Sequence, residues 1–266
     1  GLPIDSALTL NEGDGGSYLA SVGIGHKIKL GANQSLSHGI NGGYFFGKQD
    51  YSNRKTIFND SITYNSGNFQ TTTSYGNLYF NGGLQYQVRL KNDIFMTIGV
   101  HGNWKQELSA SQDKIIETYF YDESSGNVRL DSVLDQKNIK GKIIYPGNYT
   151  AGIVVGQELT QKQAGWLIGV DYVQNKWDDY RFYGQVDPAV RDKWELRAGA
   201  QLKPIPKNNY FSNVAYRAGV FFGPEYIYVD KKLQVFGATF GLGLPILNYN
   251  RQSPGQATLI NLAFEF

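Results

Sequence analysis

Eight charged or titratable side chains share the small and polar positions of segments that alternate with a period of two. They carry both signs of charge. An arginine among apolar walls can hold the carboxylate of an amphipathic ligand through charge-assisted hydrogen bonds. A row of mixed sign is more often an internal salt-bridge network that fills a narrow lumen. The candidates for either role are Arg89, His101, Lys105, Asp171, Glu195, Arg197, Arg217 and Glu265.

Other chemically active residues do not form a recognisable site. The three histidines lie at unrelated spacings, and a catalytic or metal role would need partners that a linear reading does not supply. Gly241 and Gly243 precede no predicted helix, as a phosphate-binding loop would require. The carboxylates within 109–147 do not match the spacing of an EF-hand loop. We therefore predict no catalytic residue, no metal site, no cofactor and no enzymatic activity.

The composition favours strands and excludes several classes of protein. The chain has 32 Gly, 19 Tyr and 15 Phe but one Met, a mixture that suits strands and tight turns rather than helices. With no cysteine, it has no disulfide framework, thiol nucleophile or Cys-ligated zinc. The net charge of +2 is too small, and its basic residues too scattered, for a nucleic-acid binder.

Strict alternation of apolar with polar or small residues predicts the strands that would position these side chains. In 77–90 one parity carries Leu78, Phe80 and Leu84, and the other carries asparagines, glutamines and Arg89. Ten such segments stand out, at 17–30, 34–47, 77–90, 93–108, 148–158, 164–177, 193–202, 213–222, 231–246 and 257–266.

The length of these segments predicts a membrane protein. Soluble strands usually have ~5–6 residues, whereas a tilted strand that crosses a bilayer needs ~9–11. A sheet in lipid must close on itself to satisfy its backbone groups, so we predict an all-β fold, a transmembrane antiparallel β-barrel. The apolar side chains of each strand are expected to face lipid. In two of the strands these residues are Trp194, Leu196, Ala198, Val214, Tyr216, Ala218 and Val220.

The connections predict the topology and the extent of the barrel. Long connections at 48–76, 109–147 and 178–191 alternate with short ones and are expected outside the cell. By this count the first strand begins outside and the last strand ends outside. We therefore expect a single β-barrel domain over 1–266, with about 10 strands here of about 12–14 in the complete protein. It would lack an N-terminal hatch, early strands and the final strand.

The last part of the sequence resembles a known family. Residues 210–266 include Tyr-Arg-Ala-Gly at 216–219, Phe-Gly-Leu-Gly-Leu-Pro at 240–245 and Asn-Leu-Ala-Phe-Glu-Phe at 261–266. This stretch is similar to the C-terminal barrel segment of Bacteroidetes outer-membrane proteins of the long-chain fatty acid transporter (FadL-like) family. The resemblance implies a FadL-like barrel in the bacterial outer membrane.

Two functions from different classes follow from this interpretation. The first is passive passage of hydrophobic or amphipathic, fatty-acid-like small molecules across the outer membrane. The alternative is a FadL-like barrel that serves as a structural or interaction subunit of an envelope or secretion assembly. The expected partners are outer-membrane lipid, a hydrophobic small-molecule ligand and envelope proteins, with no nucleic acid.

Overall fold

The structure is a computed structural model that describes residues 6–59, 62, 64–90, 93–122, 124–247 and 257–266. In these residues the chain forms one antiparallel sheet of 14 strands. Within these residues no helix is long and apolar enough to cross a membrane. Two short 3-10 helices occupy Trp177–Asp179 and Tyr210–Asn213. The strands are β1 (Ser6–Lys29), β2 (Gln34–Phe58), β3 (Ser66–Arg89), β4 (Ile94–Asn103), β5 (Gln106–Asp122), β6 (Gly126–Tyr145), β7 (Asn148–Gln157), β8 (Gly165–Asn175), β9 (Arg181–Phe182), β10 (Gln185–Val186), β11 (Lys193–Lys203), β12 (Ala215–Val229), β13 (Lys231–Leu247) and β14 (Ala257–Glu265). The predicted all-β class and antiparallel pairing are confirmed.

The register between strands places the apolar side chains of ten strands on one face of the sheet. These strands lie in the order β1, β2, β3, β4, β7, β8, β11, β12, β13, β14. Tyr172, Leu196 and Phe222, for example, are direct neighbours across β8, β11 and β12. We call this the apolar face, and we call the opposite surface of the same strands the polar face.

Six of the seven residues predicted to share the apolar face have the parity that places them there. Val214 does not belong to this set. It follows the 3-10 helix Tyr210–Asn213, caps its end and is buried, with 2% of its surface exposed. The predicted segment 213–222 therefore starts two residues before β12, which begins at Ala215.

Aromatic rings form a belt on the apolar face. Tyr18 stacks on Phe46 with ring centroids 5.7 Å apart. Further along the sheet, Trp194 meets Tyr172 at 6.5 Å and Phe222 at 5.4 Å. Amphipathic rings in this position are typical of a boundary between hydrocarbon and water.

The sheet is not closed into a barrel, contrary to the sequence prediction. Among the described residues, β1 pairs only with β2 and β14 only with β13. Closure requires a hydrogen-bonded ladder between the first and the last strand. No described strand pairs with the free edge of either β1 or β14.

Two of the predicted long loops are mostly strand. β2 and β3 continue through most of 48–76, and β5 and β6 fill most of 109–147. In these extensions the face that is apolar elsewhere becomes polar, as where Gln70 donates to the Asp50 carboxylate at 2.9 Å. The alternation of apolar residues therefore stops in the sequence, although the hydrogen bonds between the strands continue.

The sheet forks at β3. Gly82–Arg89 of this strand pairs with β4, whereas Ser66–Gly76 pairs with β5. The segment predicted as one strand at 93–108 is therefore two strands, divided at Trp104 and Lys105.

A side chain supplies backbone hydrogen bonds at the fork. The Gln106 amide accepts from Phe80 N at 2.7 Å and donates to Phe80 O at 2.9 Å. Gln106 is 8% exposed, so these bonds satisfy peptide groups that neither β4 nor β5 pairs there.

A small hydrophobic core lies beside the fork on the polar side of the sheet. It consists of Tyr75, Leu108, Ala110 and Ile143, and Phe182 and Tyr183 pack against it. These contacts attach β5, β6 and β9 to β3 as a layer of their own.

We expect Gln106→Leu to lower the free energy of unfolding by roughly 1–3 kcal/mol, because Phe80 would keep a buried N–H and C=O without partners. Gln136→Leu makes the same change on the exposed part of β6 and should cost less than about 0.5 kcal/mol. Urea unfolding in detergent micelles, followed by tryptophan fluorescence, measures both. Equal midpoints for the two variants would contradict the role assigned to Gln106.

Candidate functional site

A cavity of about 1010 Å³ lies against the polar face, between β2 and β11. Nine of the described lining residues carry an amide or hydroxyl side chain, beside glycines and a few aliphatic residues, and none of the described lining residues is Phe, Tyr or Trp. The amide and hydroxyl residues are Ser37, Asn41, Asn81, Gln85, Thr97, Asn103, Asn148, Thr150 and Asn175. We call this space the polar cavity.

Small residues on the strands give the cavity its depth. Gly39, Gly83, Gly99 and Gly152 line it. A Cβ at Gly99 would come no closer than 3.8 Å to another atom, the oxygen of Leu84. Space is therefore open above this strand, and a ligand can approach the backbone.

Cross-strand amide pairs order part of the lining. Asn41 donates to Asn81 Oδ1 at 2.6 Å, and Asn148 donates to Asn175 Oδ1. Asn103 is 4% exposed and donates to the carbonyl oxygens of Trp104 and Pro146 at 3.1 and 3.2 Å. Each neutral amide has two donor hydrogens and an acceptor oxygen, so these bonds leave hydrogen-bonding capacity for a ligand.

The charges at the β11 end of the cavity nearly balance. Glu195 accepts from Arg197 Nε at 2.5 Å and forms an ion pair with Lys193 at 3.4 Å. Asp171 lies directly opposite Arg197 in the register of β8 and β11. Lys193 also forms an ion pair with Glu225 at 3.8 Å, so both cations of this group are paired. Among the described lining residues the charged ones are Asp171 and Arg197, one of each sign.

The structure divides the eight residues predicted as one row. His101, Asp171 and Arg197 line the polar cavity, and Glu195 lies beside them. Glu265 is on β14, opposite Thr239. Arg197 lies opposite Phe221 of β12, and Arg217 lies four residues along that strand, opposite Gln201, so the two arginines are not direct cross-strand neighbours.

Arg89 and Lys105 form exposed ion pairs. Arg89 ends β3 and pairs with Glu158 at 2.8 Å, with more than half of each side chain exposed. Lys105 lies in the connection between β4 and β5 and pairs with Asp179 at 3.9 Å. Lys105 was predicted within a strand, and the division of that strand at the fork removes it from the row.

Arg217 bridges strands that are not neighbours. Its guanidinium donates to Gln201 Oε1 at 2.8 Å and to Asn261 Oδ1 at 2.7 Å. Between β12 and β14 lies Gly243, where a Cβ would stand 3.5 Å from Arg217 Nη2. The glycines singled out in this strand therefore make room for an arginine.

Sequence reasoning missed the amides that line most of the cavity. The signal was present, because asparagine, glutamine, serine and threonine recur on the polar parity of strands β2, β3, β4, β7 and β8. The search for chemistry favoured charged residues and overlooked them.

Aromatic side chains cross the polar side of the sheet above this cavity. Phe45 of β2 meets Tyr145 at 5.2 Å, Tyr145 meets Trp177 at 6.4 Å, and Trp177 stacks on Tyr226 of β12 at 4.7 Å. Asn148 and Asn175 of the cavity lie within three residues of Tyr145 and Trp177. We call the cluster the aromatic roof; its members are Phe45, Tyr79, Tyr145, Trp177, Tyr180 and Tyr226.

Residues 176–192 carry the roof from one side of the sheet to the other, and we call them the crossing segment. β9 pairs with β6 at one end, and Val190 bridges to Ile227 of β12 at the other. Lys176 donates to Asp192 at 2.8 Å, and this hydrogen bond raises the pKa of the lysine. Burial raises the pKa of Tyr180, so its phenol stays protonated.

Comparison with known proteins assigns the family. The family model BamG matches residues 5–266. The chain belongs to the BamG family. No curated protein and no solved structure matches it.

BamG membership corrects the sequence interpretation. It links the chain to the outer membrane and its assembly machinery, and it overturns both the FadL-like assignment and fatty-acid transport. The resemblance in 210–266 rested on strand and turn patterns that outer-membrane sheets of different function share. The polar lining of the cavity also differs from the apolar wall that a fatty-acid chain requires.

We expect Arg217 to stabilise the sheet through Asn261. A double-mutant cycle of Arg217→Met and Asn261→Leu should give a coupling free energy of roughly 1–2 kcal/mol, because the bond involves a charged group. The control cycle, Arg89→Met with Glu158→Gln, should stay below about 1 kcal/mol, since that pair is exposed. Urea unfolding measures both cycles, and equal couplings would remove the bridging role of Arg217.

Proposed function

We propose that this chain is a membrane-embedded β-sheet subunit of the Bam outer-membrane protein assembly complex, where it binds other envelope proteins. It performs no chemistry of its own in this role. The observation that carries the proposal is the match to the BamG family over residues 5–266.

The apolar face supports the embedded position. It runs without interruption across ten strands and is exposed, as at Ile168 and Val220, which keep 56% and 58% of their surface. An apolar surface of this extent requires lipid or a partner protein to cover it. The aromatic belt supports lipid as the main covering.

The arrangement of residues on the polar side of the sheet favours a structural role over the passage of small molecules. The crossing segment and the aromatic roof run over the sheet from β6 to β12, and the layer of β5, β6 and β9 is attached beside them. Ring contacts such as that of Trp177 with Tyr226 take up the space that a diffusing molecule would use.

The extensions of β1, β2, β3, β5 and β6 supply a surface for partners outside the bilayer. Their side chains form ion pairs across strands, as between Arg54 and Glu12 at 3.3 Å and between Arg129 and Glu117 at 3.1 Å. Polar surface with paired charges is typical of the exposed part of protein interfaces.

The embedded position predicts a difference between neighbouring residues of β11. Ala198→Arg places a charge on the apolar face and should cost roughly 2–4 kcal/mol of stability in lipid vesicles. Gly199→Arg places the same charge on the polar face, where a Cβ has 3.6 Å of clearance, and should cost much less. Urea unfolding from vesicles compares them, and equal losses would place both faces in the same environment.

Depletion of the full-length protein in its native bacterium tests the assembly role. We expect unfolded outer-membrane proteins to accumulate in the periplasm before the uptake of labelled oleate per cell changes. An affinity-tagged copy should purify with the Bam subunits from detergent-solubilised membranes. Normal assembly of outer-membrane proteins in depleted cells, together with loss of oleate uptake, would contradict the proposal.

A further inference from the structure

We infer that the polar cavity binds an extended polypeptide segment without net charge. The inference deepens the proposed assembly role and rests on it, because it names the class of partner that the polar face would hold. It is carried by the amide and hydroxyl side chains of the lining, by the single charge of each sign among its described residues, and by the open space above the strands.

The lining matches a peptide backbone in its hydrogen bonding. A backbone presents one N–H donor and one C=O acceptor at each residue. Side-chain amides offer both kinds of group, and the hydroxyls of Thr97 and Thr150 also donate and accept. The cavity can therefore satisfy alternating donors and acceptors without requiring a particular side-chain sequence.

Other ligand classes fit this lining less well. An ionic ligand would gain little, since the described lining holds one charge of each sign, Asp171 and Arg197, and Arg197 is already paired with Glu195. A fatty acid would leave the amides facing hydrocarbon, which is unfavourable. A sugar would find no aromatic ring among the lining residues on which to stack.

The dimensions suit a short strand. The cavity reaches from β2 to β11 across six adjacent strands, or roughly 24 Å at about 4.8 Å between neighbours. At about 3.3 Å per residue, an extended segment of about seven residues covers that distance. The open space at Gly99 lets its backbone come close to β4.

A binding assay with matched valine variants tests the inference. The full-length protein in detergent micelles is titrated with a fluorescein-labelled peptide of eight Gly, Ser, Asn and Thr residues. Gly99→Val should weaken binding at least tenfold, because the new side chain occupies the open space above β4 where the peptide backbone would approach. Gly25→Val adds the same side chain on the polar face outside the cavity, with 3.7 Å of clearance, and should leave binding within about twofold.

Competition in the same assay separates the ligand classes. Unlabelled peptide should displace the probe, whereas maltotriose and oleate should not. Displacement by either of these, or equal peptide affinity for the two valine variants, would overturn the inference. Circular dichroism and the urea midpoint of each variant show that a loss of binding does not come from unfolding.

Photo-crosslinking in cells identifies the source of the segment. A benzoylphenylalanine at position 97 or 150 lies in the cavity, and one at position 98 or 153 lies on the apolar face as a matched control. Crosslinks to a second polypeptide chain at 97 and 150 but not at 98 and 153 support the inference. Crosslinks only within this chain, or only to lipid or detergent, overturn it.

The two proposals can fail separately. If the tagged protein purifies with the Bam subunits and Gly99→Val changes neither peptide binding nor crosslinking, the assembly role stands and the cavity inference fails. If the peptide binds as expected but no Bam subunit is purified, the cavity binds polypeptide and the assembly role is wrong.

Discussion

The satisfaction of backbone hydrogen bonds along β3 is the constraint on which the rest of the structure depends. One edge of this strand pairs with β2, and the other is shared between β4 and β5. Between the two partners the Gln106 amide takes the place of a backbone ladder. Because the ladder divides here, the chain builds both the two-faced sheet that continues through β4 and the separate layer that begins with β5.

The two faces of the sheet have opposite physical roles. One is apolar across ten strands and needs no directional bonds, so lipid can cover it. The other carries amides, hydroxyls and paired charges that require partners of complementary hydrogen bonding. The polar cavity and the arginine bridge to Asn261 both lie on this second face. The two faces therefore require different chemistry from whatever covers them.

Period-two alternation predicted the strands of the apolar face, because the side-chain pattern and the backbone geometry have the same period there. It missed the extensions in 48–76 and 109–147, where water lies on the face that is otherwise apolar. It also missed the fork, since nothing local to Trp104 and Lys105 reveals that Gln106 will bond to Phe80. Of the predicted row, His101, Asp171 and Arg197 reached the cavity, but the pairing of Arg217 depends on the offset between β11 and β12, which alternation alone does not determine.

The stack of Trp177 on Tyr226 has a mechanical consequence. The crossing segment joins β6 to β12 directly across the polar side of the sheet. Because the segment is attached at both ends, a change in the distance between β6 and β12 would also act on the contact between the two rings. Bending of the sheet and ring contact are therefore coupled.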